Sequence, residues 1–549
     1  MDESVNRRDG RVTRRIRWVA LLWTILFLSL FSSLFAAKRE MRAVWMATVA
    51  NIDWPSEKGL PVETQQRELR RYLDSFSQNG INTVIFQIRP SADALYDSQI
   101  EPWSLYLNGR QGLESNPYYD PLSFLIAEAH SRCMEVHVWI NPYRATMFSN
   151  TSSLDASHAL LRHPEWFVKY NGRFYFNPGM DETHEYLCHI VEDVVRRYDV
   201  DAVVFDDYFY PYPVPGETFQ DLQTFRENPR GFSSIDDWRR DNVDRTIQAV
   251  SETVRHAKPW VQFGISPFGV WRHRTNDVRG SETMRGLQNY DDLYADVLKW
   301  MEKGWIDYVA PQLYWEIGKR NADYGVLLPW WIANTPSDRT NLYISLYASF
   351  PAQKMTAPAW QRPNELVRQM RLNRSFGEQV KGEMFYSAKY FVRNIQGLND
   401  SLQQFLYSDN VLTPPAPRIA SGDSAFFYVS PQPRNVRLER SMGSQDDGND
   451  EVMLTWDAVC LDSLDHGLNP LFYAVYVTKR EHLPDGTASA ATMTMPSMTH
   501  PTFLTHNTAA DLTPYVSEEG EYDVCVTTFN RYRMESEQMQ SVRFVQPHR

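Results

Sequence analysis

The feature that most constrains the fold of this chain is a strand–helix alternation that is repeated eight times between residue 42 and about residue 408. The strand candidates begin at Arg42, Thr83, Glu135, Ala202, Val261, Tyr308, Leu342 and Glu383. They are nearly continuous apolar runs, which are typical of strands buried on both faces of a parallel sheet. Eight such units predict an α/β fold, a (β/α)8 TIM barrel. The alternative, an open doubly wound sheet, favours a glycine-rich turn after the first strand, but ATVANIDWPS contains no glycine.

The predicted helices between these strands carry recognisable end signals. Asn79-Gly80 predicts the end of one helix, and Asp120 followed by Pro121 predicts the start of the next. Ser234 and Asp237 have the spacing of a capping box at the start of a long helix. The stretch 290–304 is predicted as a single helix that ends at a glycine.

The first 37 residues are predicted to direct the chain out of the cytoplasm. A stretch with six arginines precedes an apolar run from Trp18 to Ala37. This order is typical of a signal peptide, and about 20 apolar residues could also span a bilayer as an uncleaved anchor. Both alternatives predict an exported protein that is periplasmic, envelope-bound or secreted, and the second predicts a membrane tether through residues 18–37.

Beyond the barrel, predicted at residues 38–410, the composition changes. Residues 411–430 are rich in proline and serine, which indicates a linker. Short alternating strands in residues 431–549 predict a small all-β sandwich of the immunoglobulin or fibronectin kind. Trp456, Tyr473 and Tyr522 are the residues by which this region resembles a fibronectin type III module.

The active site of a TIM barrel lies at the carboxyl ends of its strands, and here these ends are rich in polar and aromatic residues. Aromatic residues make up 13% of the chain, and rings at a barrel mouth can stack on sugars while polar side chains bond hydroxyl groups. The predicted substrate-binding residues are Asp53, Trp54, Arg89, Asn141, Tyr143, Arg144, Tyr208, Tyr210, Trp271, Arg272, Gln312, Tyr314 and Trp315. This pattern favours a polysaccharide or glycan strand as the partner.

Three acidic residues at the same strand ends are candidates for catalysis. Asp206 and Asp207 follow the fourth strand, and strand alternation predicts that one faces the mouth and the other lies between the layers. Glu316 follows the sixth strand beside aromatic residues, which are expected to raise its pKa and keep it protonated. An aspartate and Glu316 would then form the carboxylate pair of glycoside hydrolysis. Buried ion pairs for the aspartates and a rim position for Glu316 are the structural alternatives.

Other chemistries are less well supported by the sequence. The net charge of −12 argues against a nucleic-acid partner, because phosphate binding requires clustered cations. The chain contains neither H-E-x-x-H nor G-x-S-x-G nor a Walker motif, so no metal ion or cofactor is predicted. Four cysteines do not indicate a disulfide scaffold, although a bond between Cys460 and Cys525 stays open.

Four motifs, RAVWMATVANIDWPS, FDDYFYPYP, GISPFGVWR and YVAPQLYWEIG, resemble in this order the glycosyl hydrolase-like family 10 over roughly residues 38–400. The resemblance implies a barrel that acts on carbohydrate, with bacterial cell-wall glycan (peptidoglycan) as the substrate class. The family's acidic motif falls on Asp206 and Asp207, and its aromatic motif ends on Glu316. The hypothesis is therefore an exported glycoside hydrolase. A glycan-binding barrel without turnover and a metal-dependent barrel deacetylase are the alternatives.

Overall fold

The structure is a computed structural model of the chain, and it describes residues 39–349, 358–361, 364–421, 425–441, 451–461, 466–480, 499–537 and 541–547. The predicted signal peptide or anchor at residues 1–37 lies outside the described residues. Within these ranges, no helix combines the length and the apolar character needed to cross a bilayer.

Eight parallel strands form a closed barrel, which confirms the predicted fold. They are β1 (Met41–Met46), β2 (Thr83–Arg89), β3 (Glu135–Ile140), β4 (Ala202–Phe205), β5 (Gln262–Ile265), β6 (Tyr308–Val309), β7 (Asn341–Leu342 and Ile344–Tyr347) and β8 (Gly382–Tyr386). Neighbours in sequence are neighbours in the sheet from β1 to β6. The first segment of β7 pairs with β6 and its second segment pairs with β8, which in turn pairs with β1. This pairing closes the sheet on itself.

Helices cover the outside of the barrel. The helices that follow the strands are α1 (Val62–Gln78), α2 (Pro121–His130), α3 (Asp181–Arg197), α4 (Ile235–Ala257), α5 (Val297–Glu302), α6 (Tyr324–Asn334) and α7 (Glu365–Ser375). Short helices occur at Leu105–Asn108, Ala159–Arg162, Leu222–Glu227, Asn289–Asp292, Pro358–Gln361, Ala388–Phe391, Leu398–Ser401 and Pro417–Ala420, and a hairpin at Phe167–Tyr170 and Arg173–Phe176.

The predicted helix ends are confirmed at three positions, and one predicted helix is wrong. The Asp120 carboxylate accepts hydrogen bonds from the first turn of α2, and the Ser234 hydroxyl accepts one from Asp237 N. Gly80 follows α1 with a φ of 70°, in the left-handed region that favours glycine. The stretch predicted as one helix at 290–304 is divided, because Tyr294 has a φ of 54° and the Asp296 side chain caps the new helix α5.

Two apolar layers hold the barrel together, one between strands and helices and one inside. Every residue of β1, β2 and β3 is buried, as continuous apolar strands require. Because successive side chains point to opposite faces, alternate residues fill the interior. The interior cluster is formed by Met41, Ala43, Trp45, Ala47, Ile85, Trp139, Ala202, Val204, Tyr308, Ala310, Tyr343 and Met384. This filling makes the barrel a packed core with its open space at one end.

Two antiparallel sheets follow the barrel, which confirms the predicted all-β region. One contains β9 (Arg437–Ser441), β10 (Glu451–Thr455) and β13 (Ala509–Asp511), and the other contains β11 (Pro470–Lys479), β12 (Phe503–Thr505), β14 (Gly520–Asn530) and β15 (Ser541–Gln546). Residues of both sheets share one apolar cluster that includes Trp456 and Tyr473. The Tyr522 hydroxyl donates to Glu518 O at 2.9 Å, a corner typical of such sandwiches. The fibronectin assignment stays a prediction.

All four cysteines are free, so Cys460 and Cys525 are not bonded.

The sandwich docks on the end of the barrel where the strands begin. The Arg533 guanidinium donates to both carboxylate oxygens of Glu135, at the start of β3, with both distances at 2.8 Å. Both side chains are buried. Leu412 and Thr413, in the stretch predicted as a linker, are also buried there, and the Thr413 hydroxyl bonds Glu135. The strand ends opposite to this interface are left open.

Candidate active site

A cavity of about 340 Å³ lies at the carboxyl ends of the barrel strands. It is lined by Trp45, Trp139, Asp206, Asp207, Tyr208, Tyr212, Ser266, Gln312, Tyr314, Tyr347 and Tyr386. Five of the predicted site residues therefore meet in one place: Asp206, Asp207, Tyr208, Gln312 and Tyr314. This is the position at which TIM-barrel active sites form.

Asp206 and Asp207 both face this cavity. Ala202 and Val204 point into the barrel, so Asp206 continues the inward register of β4. The strand ends at Phe205, and beyond that residue the alternation of strand side chains no longer holds. The expectation that one aspartate lies between the sheet and the helices is therefore wrong.

A polar network inside the barrel fixes Asp206. The Asn141 amide donates to both carboxylate oxygens, with Nδ2–O distances of 2.8 and 2.7 Å. The orientation of this amide is set by its own oxygen, which accepts from Gln87 Nε2 at 2.7 Å and from Arg144 Nη2 at 2.6 Å. The Arg144 guanidinium also lies 5.1 Å from the centre of the Tyr208 ring. Asn141 and Arg144, both predicted as substrate contacts, thus position the carboxylate.

Asp207 is held by two donors from the rim of the cavity. The Tyr212 hydroxyl donates to one carboxylate oxygen, and Gln312 Nε2 donates to the other at 3.1 Å. The Tyr212 ring stacks on Tyr208, with ring centres 5.3 Å apart. The segment that follows β4 therefore carries both carboxylates and part of the aromatic wall.

The electrostatics of the cavity favour one bound proton near neutral pH. Burial raises the pKa of Asp206 to about 7, the charge on Asp207 adds to the rise, and Arg144 and Asn141 oppose it. Burial also raises the pKa of Asp207, against the hydrogen bonds from Tyr212 and Gln312. Two adjacent desolvated carboxyl groups cannot both ionise easily, which is the arrangement enzymes use to keep a proton donor at pH 7.

Aromatic rings form the remaining walls of the cavity. Tyr347 and Tyr386 stack with ring centres 5.7 Å apart, and the Tyr314 ring lies 4.9 Å from Tyr347. Trp45 and Trp139 meet edge to face at 5.2 Å on the floor. Flat apolar walls beside polar groups suit sugar rings, which have apolar faces and polar edges.

The expected role of Glu316 is not supported. Its carboxylate lies outside the cavity lining and accepts from Lys319 Nζ at 3.1 Å and from Trp360 Nε1 at 3.0 Å. Although burial opposes the effect, these bonds and its own backbone N–H lower its pKa. A group held in its charged form is a poor proton donor, so the expectation of a raised pKa is wrong.

We therefore expect Glu316→Gln to lower kcat/KM on glycan less than about threefold, because the carboxylate does not contact the cavity and its bonds are partly exposed to water. Initial rates of reducing-end formation would test this expectation. A loss of 100-fold or more would return Glu316 to the chemistry.

Three residues near the first two strands were predicted to bind substrate but have structural roles instead. Arg89 is buried and donates to both carboxylate oxygens of Glu101 at 2.7 Å, so it does not pair with the aspartates of the cavity. The Asp53 carboxylate accepts from Ala47 N and Ser387 Oγ, which ties β1 to the end of β8. Trp54 is buried in the layer between strands and helices.

The remaining predicted contacts also lie away from the cavity. The Tyr143 and Tyr210 hydroxyls bond Thr246 and Asn242 of helix α4. Arg272 pairs with Asp277 and Asp291 on the rim. Trp271 is buried, and the half-buried Trp315 packs edge to face on Phe268. The polar and aromatic character of a strand end did not distinguish side chains that enter the mouth from those that pack outside it.

Six lining residues were not among the listed substrate-binding or catalytic residues, although the sequence places two of them, Trp45 and Tyr212, among the aromatic rings expected at the barrel mouth: Trp45, Trp139, Tyr212, Ser266, Tyr347 and Tyr386. Four of them are the last or next-to-last residue of their strand. Alternate residues of each strand point into the barrel. Following this alternation to the last residue of each strand could have identified these four.

A larger cavity, of about 630 Å³, lies between the barrel and the sandwich. Its walls include Arg42, Asn82 and Cys133 near the starts of the first three strands, and Phe503 and His506 of the sandwich. Among the described residues that line it there is no carboxylate. Because barrel enzymes place their chemistry at the opposite end, the smaller cavity with the aspartates is the candidate active site.

Comparison with known proteins gives an independent result. The sequence profile of the family described as Glycosyl hydrolase-like 10 matches residues 40–362. Glycosyl hydrolase YngK of Bacillus subtilis (strain 168) is 47% identical over 381 residues, which cover 69% of this chain and 74% of that protein. Glycosyl hydrolase DigH of Escherichia coli (strain K12) is 38% identical over 374 residues, which cover 64% of this chain and 84% of that protein.

Among solved structures, the glycoside hydrolase domain of PgaB (BpsB) from Bordetella bronchiseptica aligns with 66% of this chain and 99% of that chain, at 13% identity and a TM-score of 0.43. This likeness is too slight to carry an argument about chemistry. Family membership is shown by the profile match and by the two sequence relatives.

Proposed function

The chain belongs to the glycosyl hydrolase-like 10 family, and from that premise we propose that it hydrolyses glycosidic bonds at the cavity that contains Asp206 and Asp207. The substrate class we propose is bacterial cell-wall (peptidoglycan) glycan or a related polysaccharide. The proposal includes export of the chain through the predicted segment at residues 1–37.

The observation that carries this proposal is the desolvated pair of aspartates among aromatic rings. Hydrolysis requires a proton for the leaving oxygen and a negative charge beside the developing positive charge at the anomeric carbon. Asp206, with its raised pKa, is the proposed proton donor. Asp207, held by two hydrogen-bond donors, is the proposed carboxylate.

The choice of substrate is supported by the cavity and by the resemblance of the motifs. The aromatic walls suit a sugar ring, and the lining carries no Lys or Arg among the described residues. Two relatives are named glycosyl hydrolases. Cell-wall glycan is the substrate class implied by the four motifs, and an exported enzyme of a bacterium would meet that polymer.

The proposed role of Asp206 as proton donor predicts that kcat/KM depends on pH. Because the pKa of Asp206 is raised to about 7, the protonated form is lost as the pH rises through that value. We expect kcat/KM to fall about tenfold per unit above pH 7. Rates from pH 5 to pH 9 would measure the falling limb, and a profile that stays flat to pH 9 would contradict the assignment.

The proposed function is tested by incubating the purified chain with glycan strands stripped of peptide, alongside a β-glucan of the same length. We expect new reducing ends from the cell-wall strands. Binding without new ends would instead identify a glycan-binding barrel. Cleavage of the β-glucan alone would keep the hydrolase function and reject the cell-wall substrate.

A further inference from the structure

Both carboxylates of the cavity reach it from a single wall. Asp206 and Asp207 are consecutive residues at the end of β4, with Cα atoms about 3.8 Å apart. In the closed order of eight strands, β8 lies across the barrel from β4, and its final residue is Tyr386. Tyr347 of β7 and Trp45 of β1 lie on either side of it in the lining.

The wall that faces the aspartates contains no acidic group among the described residues. Residues 350–357, which follow β7 after two further residues and are not described, contain neither Asp nor Glu in their sequence. Glu316, the residue expected to supply a second carboxylate, is hydrogen-bonded to Lys319 and Trp360 outside the cavity lining. Among the described residues that line the cavity, the acidic groups are thus confined to the end of β4.

The part of the cavity that the structure describes lacks the usual source of a nucleophile. A retaining glycosidase has a second carboxylate about 5–5.5 Å from the first, and an inverting one has a base about 6.5–9.5 Å away, placed to act on the opposite face of the sugar. The facing side chains here cannot replace it. Burial raises the pKa of Tyr386 and of Tyr314 well above the ordinary value, and an indole offers no basic nitrogen.

We infer that the nucleophile is supplied by the substrate, as the carbonyl oxygen of a 2-acetamido group, so that the site is specific for glycosides of 2-acetamido sugars. The inference rests on the proposed hydrolase function and names the reacting group on the sugar. With this group as nucleophile, both aspartates act from one side of the sugar, as the structure places them.

The reaction balances without a further reactant. The amide oxygen bonds the anomeric carbon while the bond from that carbon to the leaving oxygen breaks, and Asp206 gives its proton to the leaving oxygen. Asp207 accepts a hydrogen bond from the amide N–H and stabilises the positive charge of the cyclic intermediate. Water then attacks the same carbon and gives a proton to Asp206, and the bond to the amide oxygen opens.

The size and the floor of the cavity fit this substrate. Its volume of about 340 Å³ is at the small end of the range for ligand sites, which suits one substituted sugar ring. Trp45 and Trp139, which line the same cavity as the aspartates, offer an apolar surface at its floor. The methyl group of an acetamido substituent is favourably removed from water at such a surface.

The test uses β-1,4-linked N-acetylglucosamine oligosaccharides whose acetyl groups carry zero, one, two or three fluorine atoms. Fluorine weakens the carbonyl oxygen as a nucleophile, so we expect kcat/KM to fall stepwise, by at least about tenfold over the series. The products should keep the anomeric configuration in NMR spectra taken during the reaction. The Glu316→Gln variant, as a matched control, should show the same dependence on fluorine.

Rates that do not depend on fluorine, or products of inverted configuration, would overturn the inference and leave the hydrolase function in place. Equal cleavage of the de-N-acetylated oligosaccharide would do the same. If the full chain cleaves none of these glycans or cell-wall strands, both the hydrolase function and the inference are overturned. A thiazoline analogue of the cyclic intermediate should inhibit competitively, and a lack of inhibition would also count against the inference.

Discussion

Replacing either Asp206 or Asp207 with asparagine should lower kcat on glycan strands by about 10²–10⁴-fold, the usual contribution of general acid–base catalysis. An amide has nearly the same shape as the carboxyl group, but it can neither give up a proton nor carry the negative charge. Asn141 and Gln312 would still surround the new side chains. The effect should therefore appear in kcat more than in KM, which rates over a range of glycan concentrations would show.

Glu316→Gln is the matched control, because it makes the same change outside the cavity. The loss of activity in the aspartate variants supports a catalytic role only if these variants are folded. Because the pKa of Asp206 is raised from 3.8 to about 7, the folded chain binds this proton more tightly than the unfolded chain. This group's effect on stability is therefore increasingly unfavourable as the pH rises from about 4 to about 7. Asp206→Asn removes the effect, so its unfolding midpoint at pH 7.5 should equal or exceed that of the parent.

Unchanged rates in both aspartate variants would remove these residues from the chemistry. A lower unfolding midpoint together with lost activity would indicate a structural role. The expected combination of lost turnover and retained stability is typical of active-site groups, which are optimised for function at the expense of stability.

The second large effect, a loss of stability, is expected when the interface between the barrel and the sandwich is changed. Arg533→Met should lower the free energy of unfolding by about 3–5 kcal/mol, because it leaves the buried Glu135 carboxylate without its arginine, with only Thr413 and His137 among the described residues still bonded to it. In the parent, Arg533 donates to both oxygens of Glu135 and also to Asp201 O at 3.1 Å. Urea unfolding followed by tryptophan fluorescence would measure the loss.

An exposed arginine of the same sandwich provides the control. Arg543 lies 4.0 Å from Glu521 and is largely exposed, so Arg543→Met should change stability by less than about 1 kcal/mol. The double variant Arg533→Met, Glu135→Gln should recover part of the loss, because the uncompensated charge is gone. Equal midpoints for the Arg533 and Arg543 variants would contradict the view that the buried pair holds the sandwich on the barrel.

The barrel was predictable because its signals are local. Apolar runs mark all eight strands, and capping residues such as Asp120 and Ser234 mark helix starts. The break at Tyr294 was not predictable, because a left-handed residue other than glycine depends on tertiary contacts. The two-sheet sandwich followed from short alternating strands, but its docking through Arg533 joins residues 398 positions apart.

The site was predictable only in part. Asp206, Asp207, Gln312 and Tyr314 were identified because they follow barrel strands and carry reactive or planar groups. The direction of each side chain depends on where the strand stops, which is one residue before Asp206. Glu316 illustrates the limit, because its partner Trp360 comes from a separate segment 44 residues away.

The central claim is that this cavity hydrolyses glycan, and isotope labelling tests it most directly. Peptide-free cell-wall strands would be incubated with the full chain in water enriched in ¹⁸O, and the fragments analysed by mass spectrometry. Hydrolysis adds one water to each broken bond, so every new reducing end should carry one ¹⁸O atom, and Asp206→Asn should abolish these fragments. Strands that are bound but remain uncut in both proteins would contradict the claim.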